Sequence, residues 1–166
     1  MICDTTFLGD LYQESIARHR GPAHGFLARH RTQPILTTVI SAGEIAIIFP
    51  DFDAARRFLA NYRILRLTPE VAYAAAAVDR ELIELGARLG ENDNWIAGFC
   101  RYYGQPLISR DADFDRVHAA LDQGAGAVLG RDVAGDELRV RECLAQACDR
   151  VEHALAVPVG GVHHDH

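Results

Sequence analysis

The sequence predicts an α/β fold in which helices cover both faces of a mainly parallel sheet. Short apolar, β-prone segments alternate with segments of helical apolar spacing up to about residue 121. The chain has 166 residues, 49% of them hydrophobic, which is enough for one compact α/β core and too little for two ordinary domains. We therefore expect one domain with a C-terminal appendage.

Proline, glycine and capping residues divide the N-terminal half into segments. Gly21-Pro22 ends the first predicted helix, and Pro34 precedes the apolar, largely β-branched strand that follows. Ser41 is the predicted N-cap of the next helix, because Glu44 follows it at capping-box spacing. The predicted segments are a strand over 1–7, helices over 8–19 and 23–33, a strand over 35–40, and helices over 41–49 and 51–62.

The second half continues the alternation. Thr68-Pro69 begins a long helix, and Gly90 ends it. The helix over 51–62 is expected to bury one apolar face, formed by Phe52, Ala55, Phe58 and Leu59. The remaining predicted segments are a strand over 64–67, helices over 68–89 and 92–103, a strand over 107–109 and a helix over 111–121.

The signal weakens after the main domain, which is predicted to cover residues 1–121. Residues 122–157 are predicted to form a C-terminal extension, with a short strand over 137–141 and helical spacing over 144–155. Residues 158–166 are predicted to be a disordered tail.

Charge and cysteine content restrict the function. All 17 basic residues are arginine, which excludes a P-loop and Schiff-base chemistry, since both need a lysine. With a net charge of −6, contact with nucleic acid would need a local arginine patch or a metal ion. The spacing of the four cysteines is not that of a zinc site, so reduced thiols are expected. No segment is apolar enough to span a membrane, and a cytoplasmic protein with no membrane partner is expected.

Four acidic residues stand at the ends of predicted elements: Asp4, Glu44, Asp93 and Asp111. Successive parallel strands present their C-terminal ends at one edge of a sheet, so these carboxylates could converge on one cleft. A divalent cation would make their ionised forms compatible, and an all-oxygen set favours Mg²⁺ or Mn²⁺ over zinc. Each of Glu44, Asp93 and Asp111 could instead serve only as a helix cap or dipole partner, whereas Asp4 ends a strand with no helix to explain it.

Four motifs resemble those of PIN-domain proteins of the VapC toxin class. They are Met1–Leu8, with an apolar pair before Asp and Thr; Ser41–Ile45, in which a glutamate enters a helix; Asn92–Gly98; and Pro106–Phe114. The match runs in order, at family-like spacing, from residue 1 to about Val117. Any one motif is weak, but the ordered set is specific.

The resemblance implies a three-layer α/β/α PIN-like fold with a mainly parallel central sheet. It also implies a Mg²⁺-dependent endoribonuclease, the toxin of a type II toxin–antitoxin system, with a cognate antitoxin, an RNA substrate and a homodimeric state. Its implied catalytic and metal-binding residues are Asp4, Glu44, Asp93 and Asp111. In supporting roles, Thr5 and Ser109 would donate hydroxyl hydrogen bonds to water or phosphate, or would only satisfy a backbone group. Asp113 would be an outer-shell ligand or a helix cap, and Arg110 would bind a substrate phosphate or be a solvated side chain.

The sequence departs from the family pattern in two places. Gly98 stands where alanine is more usual, which is expected to cost some helix propensity and little else. The family usually ends with one short strand soon after the fourth motif, whereas about 49 residues follow Val117 here. The extension is therefore atypical, and the strand over 137–141 is either that last strand, displaced by an insertion, or unrelated.

Two other functions remain open at this point. A PIN-fold module without catalysis would serve only to bind a partner, although the intact acidic set argues against it. A metal-dependent phosphatase would act on small phosphate monoesters and leave long RNA intact.

Overall fold

The computed structural model of this chain describes residues 1–115, 117 and 139–141. Predictions for the helix over 144–155, the tail over 158–166 and two of the cysteines, Cys143 and Cys148, lie outside these residues. Within the described part, no helix is long and apolar enough to cross a membrane. Cys3 and Cys100 are buried thiols.

In the part of the chain that the structure describes, a five-stranded sheet forms the centre of the fold. Its strands are β1 (Ile2–Cys3), β2 (Leu36–Thr38), β3 (Arg63–Leu65), β4 (Leu107–Ser109) and β5 (Arg139–Arg141). Their order in the sheet is β3-β2-β1-β4-β5, with the first four parallel and β5 antiparallel to β4. The predicted mainly parallel sheet is therefore confirmed. An edge strand does lie within 137–141, while the boundaries at residues 121 and 157 stay predictions.

Six helices that lie wholly within the described residues cover the two faces of the sheet. They are α1 (Thr5–Ile16), α2 (Pro22–Arg29), α3 (Val39–Ala46), α4 (Phe52–Leu59), α5 (Pro69–Glu84) and α6 (Glu91–Tyr103). Ile2 of β1 packs in a core with α5 and α6, whereas the next residue, Cys3, packs in a second core with the first four helices. Because alternate residues of a strand face opposite sides, the sheet separates these cores. The predicted three-layer α/β/α fold is confirmed.

The first strand is shorter than predicted. It ends at Cys3, and Thr5 to Phe7 already belong to α1. Asp4 is the N-cap of that helix, since its side chain accepts a hydrogen bond from the Phe7 N–H. The β-propensity of the two threonines gives way to this cap. The view that Asp4 has no helix to explain it was wrong.

The third helix begins earlier than predicted. Thr38 is its N-cap and accepts a hydrogen bond from the Ser41 N–H, so Ser41 lies inside the helix. Glu44 is consequently in the second turn and not in the first. Val39 and Ile40 have β-branched side chains, but the cap at the end of β2 turns the chain into a helix.

Two further predictions about helices were wrong. The long helix α5 stops at Glu84, because Gly86 takes a left-handed φ of 65° that ends it, and Gly90 is the N-cap of α6. Phe52 was expected to face the core, but it is 74% exposed at the first position of α4. Asp51 is the N-cap of that helix, so Phe52 becomes its first residue, and at this position the side chain points toward solvent.

Gly98 is required by the packing of α5 against α6. A Cβ built at Gly98 would lie 2.5 Å from the Cβ and 2.7 Å from the Cα of Ala75. These distances are far below a van der Waals contact, so the two helices can approach this closely only at a glycine. The expectation that Gly98 costs little beyond helix propensity was therefore wrong. Its close contact sets the position of α6, which carries Asp93.

Candidate functional site

A cleft of about 510 Å³ opens where the parallel strands end. Asp4 follows β1 and Asp111 follows β4 after one intervening residue, while α3 and α6 contribute Glu44 and Asp93. The structure therefore brings all four predicted acidic residues to one cleft. The residues that line it are Asp4, Thr5, Thr6, Glu44, Gly90, Glu91, Asn92, Asp93, Ile96 and Asp111.

Asp4 lies at the bottom of the cleft with only 3% of its surface exposed. Its Oδ1 accepts hydrogen bonds from the Phe7 N–H at 2.9 Å and the Thr6 hydroxyl at 2.8 Å. Its Oδ2 accepts from the hydroxyl of Ser109, which is fully buried at the end of β4. Burial raises the pKa of Asp4 above its ordinary value, and the hydrogen bonds from Phe7, Ser109 and Thr6 offset part of this rise.

Glu44 connects three helices across the cleft. Its Oε2 accepts a hydrogen bond from the Thr5 hydroxyl at the start of α1. Its Oε1 accepts from the side-chain amide of Asn92 in the first turn of α6, at 2.6 Å. Both carboxylate oxygens of Glu44 are thus held by neutral donors from different elements.

Asp93 experiences the combined charge of the other acids. It is half-buried in the first turn of α6, and burial followed by the charges of Asp111 and Glu44 raises its pKa to about 6. Asp113 and Asp4 contribute further in the same direction. Carboxylates from four segments of the chain are therefore close enough to repel one another.

Asp111 is held by Ser109 at the end of β4 and by Asp113, each through a hydrogen bond between a side chain and a backbone N–H. The Asp111 N–H donates to the Ser109 hydroxyl at 2.9 Å, and Asp111 Oδ1 accepts from the Asp113 N–H at 2.8 Å. Asp111 therefore caps the turn that follows, as the alternative interpretation expected, while it also lines the cleft. Asp113 does not line the cleft, and its effect there is electrostatic.

Arg110 is in an ion pair beside the cleft. Its Nε lies 2.7 Å from Asp10 Oδ2, and its side chain is 45% exposed. Its backbone N–H donates to the Thr6 hydroxyl at 3.1 Å. The guanidinium is therefore held at the edge of the site by α1.

The sequence interpretation missed three residues that hold predicted site residues in place: Thr6, Asn92 and Asp10. Thr6 stands two residues after Asp4, a spacing at which a hydroxyl can bond to a capping carboxylate. Asn92 directly precedes Asp93 and could have been noticed as a polar residue in the first turn of a helix. No signal in the sequence identifies Asp10, because its partner Arg110 is 100 positions away.

The chemistry of the four carboxylates fits a divalent cation. Hard oxygen donors are the ligands that Mg²⁺ and Mn²⁺ prefer. Burial and then the neighbouring carboxylates raise the pKa of Asp93, and a cation would offset the charge of those carboxylates. Among the described residues, however, no three His, Cys, Asp or Glu side chains form a group that could hold an ion. At least one of these side chains would have to turn toward the others to complete a ligand set.

Comparisons with known proteins agree with the fold. A family model described as "PIN domain" matches residues 1–120. The structure is similar to VapBC2 from Rickettsia felis, solved bound to a DNA fragment from their promoter, with a TM-score of 0.57 and 17% sequence identity. It is also similar to FitAcB from Neisseria gonorrhoeae, with a TM-score of 0.52 and 16% identity. Each similarity covers 70% of this chain and 91% of the other. No curated protein matches the sequence.

Proposed function

Because this chain belongs to the PIN-domain family, we propose that it is a Mg²⁺-dependent endoribonuclease and the toxin of a type II toxin–antitoxin system. The observation that carries the proposal is the meeting of Asp4, Glu44, Asp93 and Asp111 in one cleft. Mn²⁺ has the same preference for oxygen donors and would serve in place of Mg²⁺.

These four carboxylates are the proposed metal ligands and catalytic residues. A bound Mg²⁺ would supply activation of water for in-line attack on a phosphodiester and compensation of charge in the transition state. The buried Asp4 offers a fixed carboxylate, since its hydrogen bonds leave it little freedom to turn. Among the described residues, Glu44 is held only by Thr5 and the exposed Asn92, so it is the side chain best placed to change its rotamer.

The supporting residues orient these carboxylates. Thr5 holds Glu44 and Ser109 holds Asp4, and these hydrogen bonds support a positioning role for both hydroxyls. Asp113 adds negative charge near Asp93 and is proposed to act on the metal-binding carboxylates without itself contacting the metal. Arg110, at the edge of the cleft, is proposed to bind a phosphate of the RNA.

The antitoxin partner and the homodimer are part of the proposal. Their support is the structural similarity to VapBC2 and FitAcB together with the four family-like motifs. An antitoxin segment that covers the cleft would inhibit the enzyme, and an arginine among its residues would complement the acidic side chains. A short gene directly upstream, encoding a DNA-binding fold with a flexible tail, would support the toxin assignment over a housekeeping nuclease.

The nuclease proposal is tested by cleavage of RNA with purified protein. We expect cleavage in Mg²⁺, none after chelation, and a loss of at least about 100-fold in Asp4→Asn. Asn keeps the N-cap of α1, but Asp4 is also buried, so Asp93→Asn at a half-buried position provides a second variant that disturbs the fold less. Asp53→Asn, at an exposed position of α4 outside the cleft, is the matched control and should cleave normally.

Three outcomes would contradict the proposal. Cleavage that is unchanged in Asp4→Asn and Asp93→Asn would indicate a contaminating nuclease. Binding of RNA or a protein partner without any cleavage would indicate a silent PIN-fold module. Turnover of a generic phosphate monoester with long RNA left intact would indicate a phosphatase.

A further inference from the structure

Two residues of α1, one helical turn apart, both contact Arg110. The Thr6 hydroxyl accepts a hydrogen bond from the Arg110 backbone N–H at 3.1 Å, and Asp10 Oδ2 lies 2.7 Å from the Arg110 Nε. Residues four apart on a helix lie on the same face. One face of α1 therefore holds both the backbone and the guanidinium of a residue 100 positions or more away.

Thr6 also joins Arg110 to the most buried acid of the cleft. Its hydroxyl lies 2.8 Å from Asp4 Oδ1 and 2.9 Å from Asp4 Oδ2. A hydroxyl has one proton to donate and lone pairs to accept with. Because the Arg110 N–H occupies a lone pair, the proton of Thr6 is directed at the Asp4 carboxylate. A displacement of the segment after β4 would therefore change the hydrogen bonds of Asp4.

Asp10 holds the guanidinium in a partly buried ion pair. Its side chain is 21% exposed, compared with 45% for Arg110, so water screens this pair less than it screens a pair on the open surface. The contact is an ion pair and not an aligned hydrogen bond, since Asp10 Oδ2 has no hydrogen-bond partner among the described residues. A guanidinium carries five N–H donors in one plane, and within the described part of the chain no hydrogen bond occupies the terminal nitrogens of Arg110, so they can make a bidentate contact with a phosphate.

We propose that Thr6 and Asp10 are positioning residues that hold Arg110 for an RNA phosphate at the edge of the acidic cleft. Thr6 fixes the backbone of Arg110 relative to Asp4, and Asp10 fixes the direction of its guanidinium. This inference rests on the proposed function for the identity of the ligand. An arginine oriented in advance binds with a smaller loss of side-chain entropy than one that moves freely.

A double-mutant cycle between Asp10 and Arg110 tests the role of Asp10. The cycle is made in the Asp93→Asn background, in which RNA stays intact, and binding of a fluorescein-labelled RNA oligonucleotide is followed by anisotropy in Mg²⁺. We expect Asp10→Asn and Arg110→Gln each to weaken binding about 3- to 10-fold, and the double variant to bind no more weakly than Arg110→Gln alone. Asp79→Asn, which breaks an ion pair with Arg88 outside the cleft, is the matched control.

Two results of the cycle would overturn the role of Asp10. If Asp10→Asn tightens binding, Asp10 competes with the phosphate for Arg110 and does not position it. If the effect of Asp10→Asn persists in the Arg110→Gln background, Asp10 acts by another route. Neither result depends on catalysis, whereas failure of the otherwise wild-type protein to cleave RNA would instead count against the proposed function.

The role of Thr6 is tested by two substitutions of similar size. Thr6→Val removes the hydroxyl and keeps the branched shape, whereas Thr6→Ser keeps the hydroxyl. We expect Thr6→Val to weaken binding of the same RNA at least about 3-fold and to lower kcat for cleavage, since Asp4 loses a donor, and Thr6→Ser to recover most of both. Wild-type binding and kcat in Thr6→Val, or an equal loss in Thr6→Ser, would overturn the role of Thr6.

Discussion

The side chain of Asp4 caps α1 and also lines the acidic cleft. Its carboxylate caps α1 through the Phe7 N–H, and it accepts further hydrogen bonds from Thr6 and Ser109 inside the cleft. A carboxylate at a helix N-terminus is favoured by the helix dipole, which helps to keep a buried acid in place. Capping and cation binding are therefore not exclusive explanations for this residue.

Gly98 stabilises the fold because it has no side chain at its contact with α5. In Gly98→Ala the new Cβ would meet backbone atoms of Ala75 at 2.7 and 2.8 Å, so α5 and α6 would have to separate. We expect a loss of about 1–3 kcal/mol in the free energy of unfolding, measured by urea denaturation.

Gly43→Ala is the control for this substitution. Gly43 lies inside α3, and apart from its chain neighbours and the backbone of its own helix no described atom lies within 4 Å of the position of its Cβ. Alanine there should therefore leave stability unchanged or raise it by about 0.4–1 kcal/mol. Equal effects of the two substitutions would show that helix propensity, and not the contact with Ala75, decides the result.

At the scale of elements, α1 makes contacts with other segments at both of its ends. Its N-terminus lies at the cleft, and near its C-terminus Glu14 accepts hydrogen bonds from the Ala23 and His24 N–H groups at the start of α2, both at 2.9 Å. Gly21, the N-cap of α2, has no side chain that could accept a hydrogen bond from the first turn of that helix. The carboxylate of Glu14 in α1 accepts these hydrogen bonds instead. Burial raises the pKa of Glu14, but the hydrogen bonds from His24 and Ala23 outweigh this and lower it overall.

Replacement of Glu14 by Gln should reduce stability in a pH-dependent way. Because its pKa is lower in the folded chain than the ordinary value of 4.5, ionised Glu14 stabilises the fold above about pH 4.5. This stability is lost as the pH falls through the lowered pKa of the folded state. We expect Glu14→Gln to cost about 1–2 kcal/mol at pH 7, measured by urea denaturation, and less below pH 4.5.

The exposed Glu84, in the last turn of α5, provides the control for Glu14. Glu84→Gln should leave the free energy of unfolding nearly unchanged at both pH values. A cost in Glu14→Gln that stays constant from pH 7 to pH 3 would contradict the assignment of this stability to the ionised carboxylate.

For the whole molecule, the fold gathers negative charge at one edge of the sheet. Mg²⁺ or Mn²⁺ should therefore stabilise the folded chain, since the unfolded chain does not bring these carboxylates together. We expect the Tm of the wild type to rise with cation concentration, corresponding to about 1.4 kcal/mol at ten times the Kd.

The same titration in Asp93→Asn separates specific binding from general screening. This variant has lost one proposed ligand and its negative charge, so its Tm should respond weakly to the cation. NaCl of equal ionic strength controls for screening. An identical rise of Tm in the wild type and the variant would argue against a cation at these four carboxylates.

Most of the fold follows from local sequence signals. Proline and capping residues placed several helix ends correctly, including the start of α5 at Thr68 and the end of α6 at Gly104, which has a left-handed φ of 57°. Errors occurred where two local signals competed, as at Thr38 and Ser41, because either hydroxyl could have capped α3. The presence of the four acids at one edge could be predicted, since parallel strands deliver their C-terminal ends there.

By itself, then, the sequence determined which elements form, their order, and the acidic character of the site. Tertiary structure alone decided that Gly98 must contact Ala75, that Asn92 holds Glu44, and that Asp10 pairs with Arg110. The physical reason is separation along the sequence. Capping and periodicity act within a few residues, whereas these contacts join residues 23 to 100 positions apart. Such contacts exist only after the sheet and its helices have packed.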